Sequence, residues 1–457
     1  MITFDEPAGV SAPATPASER AAGRRWPLQP LQVADLTAML AVMVGLNLIR
    51  FGGPTASSYP LHEYLLAFLA FAIFQAVIAY FAGLYEPEPR LGSRPQLPRT
   101  AGAALFAMLF IGFGELMLGV YYLPRATLPA VPVASALVLA VNRRVARAQR
   151  RAREGAPRVL LVGAPREAHV VRAHLAESGA GAPEVAGQTV AARDLLVRVE
   201  AAGATDVLLL NREALDAIYP EPLLALERRG IGVLQRITAC DTLLGLRVVR
   251  EVAGMPFVAL RSSTLPVSRA RCKRLLEVAA LLVLAPLLLP LLGAIAMYVR
   301  VVAGGPVLYR QQRVGGNGKA FAMVKFRTMR PDAEEGRGPV VSPNPDDRII
   351  PACRWLRASR LDELAQLGNV LRGQMSIVGP RPERPELTAH YERLIPGYAR
   401  RHEIPPGITG LAQIHGRYHT DPEYKLSHDL QYLANWSPVL DLQILCRTVW
   451  VVLSGRQ

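Results

Sequence analysis

Cysteine is scarce and scattered. Cys240, Cys272, Cys353 and Cys446 lie far apart in 457 residues and form no C-x-x-C pair. That leaves no readable zinc ligand set and no disulfide framework, and makes a reducing cytosol the default for the soluble parts. Acidic charge is also short. Against 52 Lys and Arg there are 37 Asp and Glu, a formal net charge of +15. Such an excess can signal nucleic acid, yet 51% of the residues are hydrophobic. A basic, apolar chain fits an integral membrane protein with Arg-rich cytoplasmic flanks, and nucleic acid is excluded as a partner. The first thirty residues are Ala/Pro/Ser-rich and lack the apolar core of a cleavable signal, so 1–30 read as a disordered tail. The length calls for two or three domains.

Four apolar stretches, 32–50, 61–83, 101–121 and 124–142, are each about the length that crosses a bilayer. The basic residues between them alternate. Arg20, Arg24 and Arg25 precede the first; Arg90, Arg94 and Arg99 follow the second; Arg143, Arg144, Arg147, Arg150, Arg151 and Arg153 follow the fourth. The other two loops have only Arg50 and Arg125 near them. This is the positive-inside pattern for an even number of spans with both ends cytoplasmic. Residues 31–155 therefore read as a four-helix transmembrane bundle with a basic cytoplasmic flank. Glu115 is the ionisable residue that stands out within it, with helix packing or a headgroup contact favoured over a transport pathway.

Residues 156–262 read as a Rossmann-like α/β domain. Apolar strands at Arg158–Ala164, Asp206–Leu210 and Gly230–Leu234 alternate with helical pattern, the first helix running from Glu167 to about Ser178. A dinucleotide fingerprint needs G-x-G-x-x-G at the first turn. The turn here is Gly163-Ala164-Pro165-Arg166-Glu167-Ala168; two glycines are missing and Pro165 has no N–H to offer a phosphate. A structural or regulatory domain is expected.

Residues 263–457 form the last domain. Leu275 to Val299 is apolar enough to span, but Arg269, Arg271, Lys273 and Arg274 stand before it and Arg300, Arg310 and Arg313 after. Positive-inside wants both flanks in the cytosol, and Pro286 and Pro290 interrupt the middle. A re-entrant membrane helix over about 272–302, breaking at Ala285-Pro286, satisfies both facts; the alternative is an ordinary fifth span. Gly315 to Lys319 is a glycine-rich turn that can approach an anion or simply close a hairpin; its spacing is not that of a Walker A loop. Asp332, Glu334 and Glu335 fall in a Pro/Gly/Asp-rich loop. Asp362 and Glu363 then stand together, with Arg357 and Arg360 just before them and Gly379-Pro380-Arg381-Pro382 after. Adjacent carboxylates among arginines suit phosphate chemistry; the alternative is a capped amphipathic helix with a solvated charged face. The final apolar run, Val439–Leu453, contains Asp441 and Arg447 and reads as an interfacial amphipathic helix.

Three motifs in order, K-F-R-T-M, L-D-E-L-x-Q-L-x-N-V-L-x-G-x-M-S-x-V-G-P-R-P and P-G-I-T-G-x-A-Q-x-x-G-R, cover about 268–457. They resemble the bacterial sugar transferases, the monotopic polyprenyl-phosphate hexose-1-phosphate (phosphoglycosyl) transferases. The resemblance implies a catalytic dyad at Asp362 and Glu363, with Asp362 as nucleophile on the phosphate attached to the sugar. It implies Mg2+ held with help from Glu363 and Asp362, and phosphate or substrate contacts from Lys325, Arg327, Arg357 and Arg381. Asp429 matches a further acidic family position of unassigned role. It implies a UDP-sugar donor, UDP-glucose or UDP-galactose, and undecaprenyl phosphate as acceptor, with UMP released. The enzyme would sit multi-pass in the bacterial inner membrane with its catalytic domain on the cytoplasmic face, in contact with the bilayer, and the large-family architecture implies a homodimer. Ala285, Glu277, Gln374 and Ala365 depart from the residues usual there. The rival readings are a nucleotide-sugar dehydratase or oxidoreductase working through the α/β domain, and a non-catalytic scaffold for polysaccharide assembly.

Overall fold

Runs of apolar residues with no competing turn signal become helices first. The computed structural model describes residues 30–52, 61–86, 90–91, 97–119, 129–177, 182–190, 194–238, 241, 250–260, 265–330, 348–415 and 421–454. The N-terminal tail up to residue 29, Arg94, Arg125 and the acidic cluster Asp332, Glu334 and Glu335 lie outside them. The chain divides into two compact units, Met1–Tyr85 with Pro95–Arg153, and Glu86–Arg94 with Glu154–Gln457.

The first unit contains helices α1 (Pro30–Phe51), α2 (Leu61–Phe81), α3 (Leu97–Leu118) and α4 (Ala130–Glu154) where four spans were expected. By length and apolarity α1 and α3 can cross a membrane, and α2 contributes the apolar stretch Leu65–Phe81. α4 is not among the candidate spans, because its apolar half gives way to an arginine-rich half. One of those arginines is not a solvated flank. Arg143 is fully buried and pairs with Asp35 of α1 at 3.0 Å, with Asn142 also donating to Asp35 at 2.9 Å. A charge so placed is tolerable only with its partner, so Asp35 and Arg143 lock α1 to α4. Asp35 is thus the built-in ionisable residue of these helices; Glu115 is half-buried on α3.

The second unit begins with a six-stranded sheet. Its elements are β1 (Arg158–Val162), α5 (Pro165–Glu177), β2 (Glu184–Thr189), α6 (Leu195–Ala202), β3 (Asp206–Leu209), α7 (Arg212–Ile218), α8 (Leu223–Arg228), β4 (Gly232–Arg236), β5 (Arg250–Val252) and β6 (Met255–Leu260). The strand order is β2-β1-β3-β4-β6-β5, with β1 to β4 parallel and β6 antiparallel to both β4 and β5. β1 and β3 are apolar on both faces because helices cover both, as parallel sheets require. β2 was not foreseen, since Glu-Val-Ala-Gly-Gln-Thr has neither alternation nor an apolar run. The β5–β6 hairpin was also missed; its tight turn is set by Ala253 and Gly254, both at positive φ.

The unit continues through α9 (Val267–Ala303), hairpin strands β7 (Leu308–Val314) and β8 (Ala320–Phe326), α10 (Arg354–Ala358), a 3-10 segment Leu361–Gln366, α11 (Leu367–Leu371), β9 (Ser376–Val378) and α12 (Pro385–Leu394). After a second 3-10 segment, Tyr398–Glu403, come β10 (Gly407–Thr409), α13 (Leu411–His415), α14 (Pro422–Asn435) and α15 (Pro438–Leu453). The Gly315–Lys319 motif closes the β7–β8 hairpin, Gly315 N donating to Lys319 O at 2.8 Å.

α9 is the third helix able to cross a membrane. It is helical throughout, with Pro286 and Pro290 inside it, so the chain does not leave the helix at the expected break, Ala285-Pro286. Proline removes a hydrogen bond and bends a helix without having to end it. Thirty-seven residues extend roughly 55 Å. Its two limbs both pack on the second unit: Leu281 joins Phe321, Met323 and Val370, while Ile295 and Val299 join Phe326 and Leu356. Between them most side chains are exposed, Val283 at 78% and Leu287 at 70%, while Leu288 and Leu292 are partly buried against the same clusters. The first limb is tied by charge. Lys273 Nζ lies 2.9 Å from Glu277 and 2.8 Å from Asp441 on α15; Glu277 also accepts from Ile377 N at 3.0 Å and from the Ser376 hydroxyl. On α15, Ile444 faces the core while Val439, Leu442, Val449 and Trp450 are exposed, as an interfacial helix would leave them.

Candidate active site

The dyad follows a forced turn. Arg360 adopts φ 56°, ψ 17°, a conformation costly for a side-chain-bearing residue, and reverses the chain between α10 and the 3-10 segment. Glu363 N donates back to Arg360 O at 3.1 Å. The turn sends Asp362 and Glu363 inward, where they are only 6% and 8% exposed. That burial overturns the alternative of a solvated charged face.

Burying two adjacent carboxylates demands compensation. β8 provides Lys325, whose Nζ lies 2.7 Å from Glu363 Oε1, and the Gly-Pro-Arg-Pro loop provides Arg381, 3.4 Å from the same oxygen. Burial pushes the Glu363 carboxyl up, but Arg381, Lys325 and then Arg360 outweigh it and hold it at about 2. Burial draws the Lys325 ammonium below the ordinary lysine value even with Glu363 beside it. The asymmetry is physical: Glu363 faces several cations, whereas Lys325 faces a carboxylate together with the opposing charge of Arg381. Asp362 fares differently. Burial and the neighbouring Glu363 charge push it up to about 6, only partly offset by Lys325 and Arg357. One acid is neutralised by its surroundings; the other is left short of positive charge.

The loop bearing Arg381 is fixed by backbone contact. β9 and β10 run parallel, and Gly379 N donates to Thr409 O and Gly407 N to Pro380 O, both at 2.8 Å. A Cβ on Gly379 would lie 2.8 Å from Pro405 O, and one on Gly407 or Gly410 would collide with the Gly379 backbone. The glycines of the V-G-P-R-P and P-G-I-T-G motifs are therefore two sides of one crossing, which aims Arg381 at the acids.

The structure brings together Asp362, Glu363, Lys325 and Arg381, with Arg357 near enough to act on Asp362. Two predicted residues have other partners. The Arg327 guanidinium donates to Ala303 O at the end of α9. Asp429 is sealed at 2% exposure and pairs with Arg401 at 2.8 Å. Burial pushes Asp429 up to about 6 despite Arg401. Arg401 in turn donates to Arg381 O at 3.1 Å and to the Tyr398 hydroxyl, so Asp429 reaches the site through Arg401 and the Arg381 loop. Sequence reading missed Arg401. It stands in Arg400-Arg401-His402-Glu403, a run that looks like solvated surface, and nothing in it marks one member as buried.

As for metal, no group of three His, Cys, Asp or Glu gathers among the described residues. Two hard carboxylates with Asp362 still short of cations fit a divalent ion shared with phosphate oxygens, not one caged by protein alone. In the α/β sheet, the turn that might meet a phosphate is already engaged. Glu167 Oε2 accepts from Ala164 N at 3.1 Å and from Asn211 Nδ2 at 3.4 Å.

Comparison with known proteins covers the stretch of chain that holds these residues. Residues 268–455, which include every dyad and clamp residue above, match the family model described as bacterial sugar transferase. The UDP-glucose:undecaprenyl-phosphate glucose-1-phosphate transferase of Xanthomonas campestris pv. campestris is 40% identical over 217 residues, 45% of this chain and 44% of that protein. The enzyme of the same description from Caulobacter vibrioides is 42% identical over 182 residues, 39% of this chain and 68% of that protein. A UDP-N-acetylgalactosamine-undecaprenyl-phosphate N-acetylgalactosaminephosphotransferase of Aeromonas hydrophila is 37% identical over 186 residues, 40% of this chain and 44% of that protein. The match thus spans less than half the length of the Xanthomonas and Aeromonas relatives. With the dyad, its basic clamp and the crossed glycine loops all inside the matched region, the chain belongs to the bacterial sugar transferase family.

Proposed function

We propose that the protein is a phosphoglycosyl transferase that moves hexose-1-phosphate from a UDP-sugar to undecaprenyl phosphate and releases UMP. The observation that carries the reading is the unequal dyad: a buried Asp362 short of cations beside a Glu363 held by Lys325 and Arg381. An ionised carboxylate can divide one transfer into two steps. A carboxylate oxygen of Asp362 attacks the phosphorus that bears the sugar, and the bond from that phosphorus to the bridging oxygen breaks. UMP leaves with the electron pair, and a sugar-phosphoryl-aspartate remains. An oxygen of undecaprenyl phosphate then attacks the same phosphorus and frees Asp362. Lys325, Arg381 and Arg357 offset the charge of the phosphates. Magnesium, held by Glu363 or Asp362 with phosphate oxygens, would add further positive charge at the attacked phosphate.

The same reading seats the site on the cytoplasmic face of the inner membrane, with the first unit as a four-helix membrane bundle and α9 re-entrant. Support for re-entrance comes from basic residues on both flanks of α9, its mostly exposed apolar middle and the return of both limbs to one unit. A homodimer rests on architecture alone. UDP-glucose is the first donor to try, because relatives named for it are similar to this chain; the step would open a surface-polysaccharide repeat unit. The test is UMP release from a panel of UDP-glucose, UDP-galactose and UDP-N-acetylgalactosamine with undecaprenyl phosphate and Mg2+. Release with one donor, and a radiolabelled sugar-phosphate trapped on the protein when the lipid is withheld, is expected. Release only when the lipid is present, with no trapped label, would remove the covalent step. No release from any of the three would remove the reading for these donors.

A further inference from the structure

Lys325 owes its place to a strand that has only one strand neighbour. β8 pairs with β7 along one edge, and among the described residues no third strand lies along the other in their sheet. An edge of this kind leaves backbone N–H and C=O groups to be satisfied by something else. Here the side chain of Asn369, 1% exposed, takes the place of a strand. Its Oδ1 accepts from Val324 N at 3.1 Å, and its Nδ2 donates to Ala322 O at 2.8 Å. One amide offers a donor and an acceptor to backbone groups two residues apart, as a paired strand would. Those two backbone groups fix which way round the amide sits, and Nδ2 also donates to Gln374 Oε1 at 2.8 Å. Asn369 lies on α11, directly after the segment that carries the dyad, and Val324 is the residue before Lys325.

We propose, on the transferase reading above, that Asn369 is a positioning residue: by pairing with the open edge of β8 it fixes Lys325 against Glu363. The geometry requires both halves of the amide. Aspartate keeps the acceptor for Val324 N but sets an oxygen against Ala322 O. Leucine of similar shape abandons both backbone groups in a buried place. In either variant β8 is released from α11 and Lys325 drifts from the acids, which then lose part of their compensating charge.

The experiment compares wild type, Asn369→Asp, Asn369→Leu and Leu433→Ala as full-length protein. Leu433 is a buried core residue with no bond to β8 and serves as a control for simple destabilisation. Two readouts are taken: the pH dependence of UMP release, scaled to folded protein, and the rate at which an acetic anhydride pulse acylates Lys325, followed by peptide mass spectrometry. Both Asn369 variants are expected to lose about 10- to 100-fold in kcat, as a misplaced group would cause. Their acid limb moves to higher pH, and Lys325 acylates several-fold faster; Leu433→Ala lowers Tm but moves neither the limb nor the labelling. The proposal is overturned if Asn369→Asp matches wild type in limb and labelling, or if Leu433→Ala reproduces both changes. If wild type releases UMP from no donor, the transferase reading fails by itself, and the Lys325 labelling still decides whether Asn369 holds that side chain.

Discussion

Two places in the second unit put an acidic side chain at the opening of a helical turn, and they treat it in opposite ways. At the first turn of the α/β sheet, Glu167 is spent on its own chain, bonded to Ala164 N and Asn211. Both bonds fall on its Oε2, the oxygen that faces the turn. At the dyad, Glu363 is compensated from two other elements, and Asp362 beside it is left with its pKa raised to about 6. A carboxylate satisfied locally builds a fold; a buried carboxylate left in deficit is held ready for a reaction. Asp429 sharpens the point, because it also rises to about 6, yet it is sealed against Arg401 and can act only through it.

The comparison breaks most visibly if Asp362 proves dispensable. Asp362→Asn should lower UMP release on the order of 1,000-fold or more, as loss of a nucleophile does. The same change should raise stability at pH 7 by on the order of 1–2 kcal/mol, read by denaturant titration. The sign follows from the raised value. Between 3.8 and about 6 the folded protein holds a proton that the unfolded chain releases, so this group favours the folded state at low pH and opposes it as pH rises through about 6. Retained activity, or a variant less stable than wild type, would show that Asp362 is an ordinary structural acid like Glu167.

Next in size is Arg401→Met. Breaking a buried ion pair from one side should cost about 3 kcal/mol or more and leave Asp429 uncompensated. Residual activity should fall too, because Arg381 O loses its donor. A variant as stable as wild type would mean that the pair does not hold the loop. The pH profile is a smaller and more selective test. Below about pH 6 the rate in wild type should drop about tenfold per pH unit as Asp362 takes up its proton. Glu363, held at about 2, stays ionised throughout and contributes no limb. A flat profile down to pH 5 would place the essential ionisation elsewhere. The smallest effect is expected at Glu167→Gln: about 1 kcal/mol or less in stability, and no change in UMP release. Tightly bound NAD(P) in the purified wild type would reverse the reading of that turn.

How much of this was legible beforehand varies with how local the cause is. Asp362 and Glu363 could be picked out through the order of the motifs around them; adjacent acids near arginines also occur at Glu334-Glu335 and Asp346-Asp347, and by themselves left a capped helix as the alternative. Apolar helices follow from composition, as α1, α3 and α9 do. The Glu167 turn could be read as lacking glycines, but not as filled by its own acid. β2 gave no periodic signal, and β5 and β6 hang on a two-residue turn. The long-range pairs were invisible: Asp35 with Arg143 and Arg401 with Asp429 join residues 108 and 28 positions apart, and although Asp429 was singled out, nothing local to any of the four named its partner. The burial of the dyad depends on Arg360 in a left-handed conformation, which nothing in Ser-Arg-Leu-Asp announces.

The tie between Lys273, Glu277 and Asp441 bears on lipid composition. Sliding α9 by one turn, about 5.4 Å, would carry Lys273 and Glu277 together away from Asp441, Ile377 N and the Ser376 hydroxyl, and leave Asp441 without its buried partner. Adjusting a bilayer to a helix costs only fractions of a kcal/mol per Å of mismatch. Where α9 enters lipid, the membrane is therefore the softer partner. In a thicker or thinner bilayer the acyl chains should stretch or compress around the helix, and the dyad should keep its height above them.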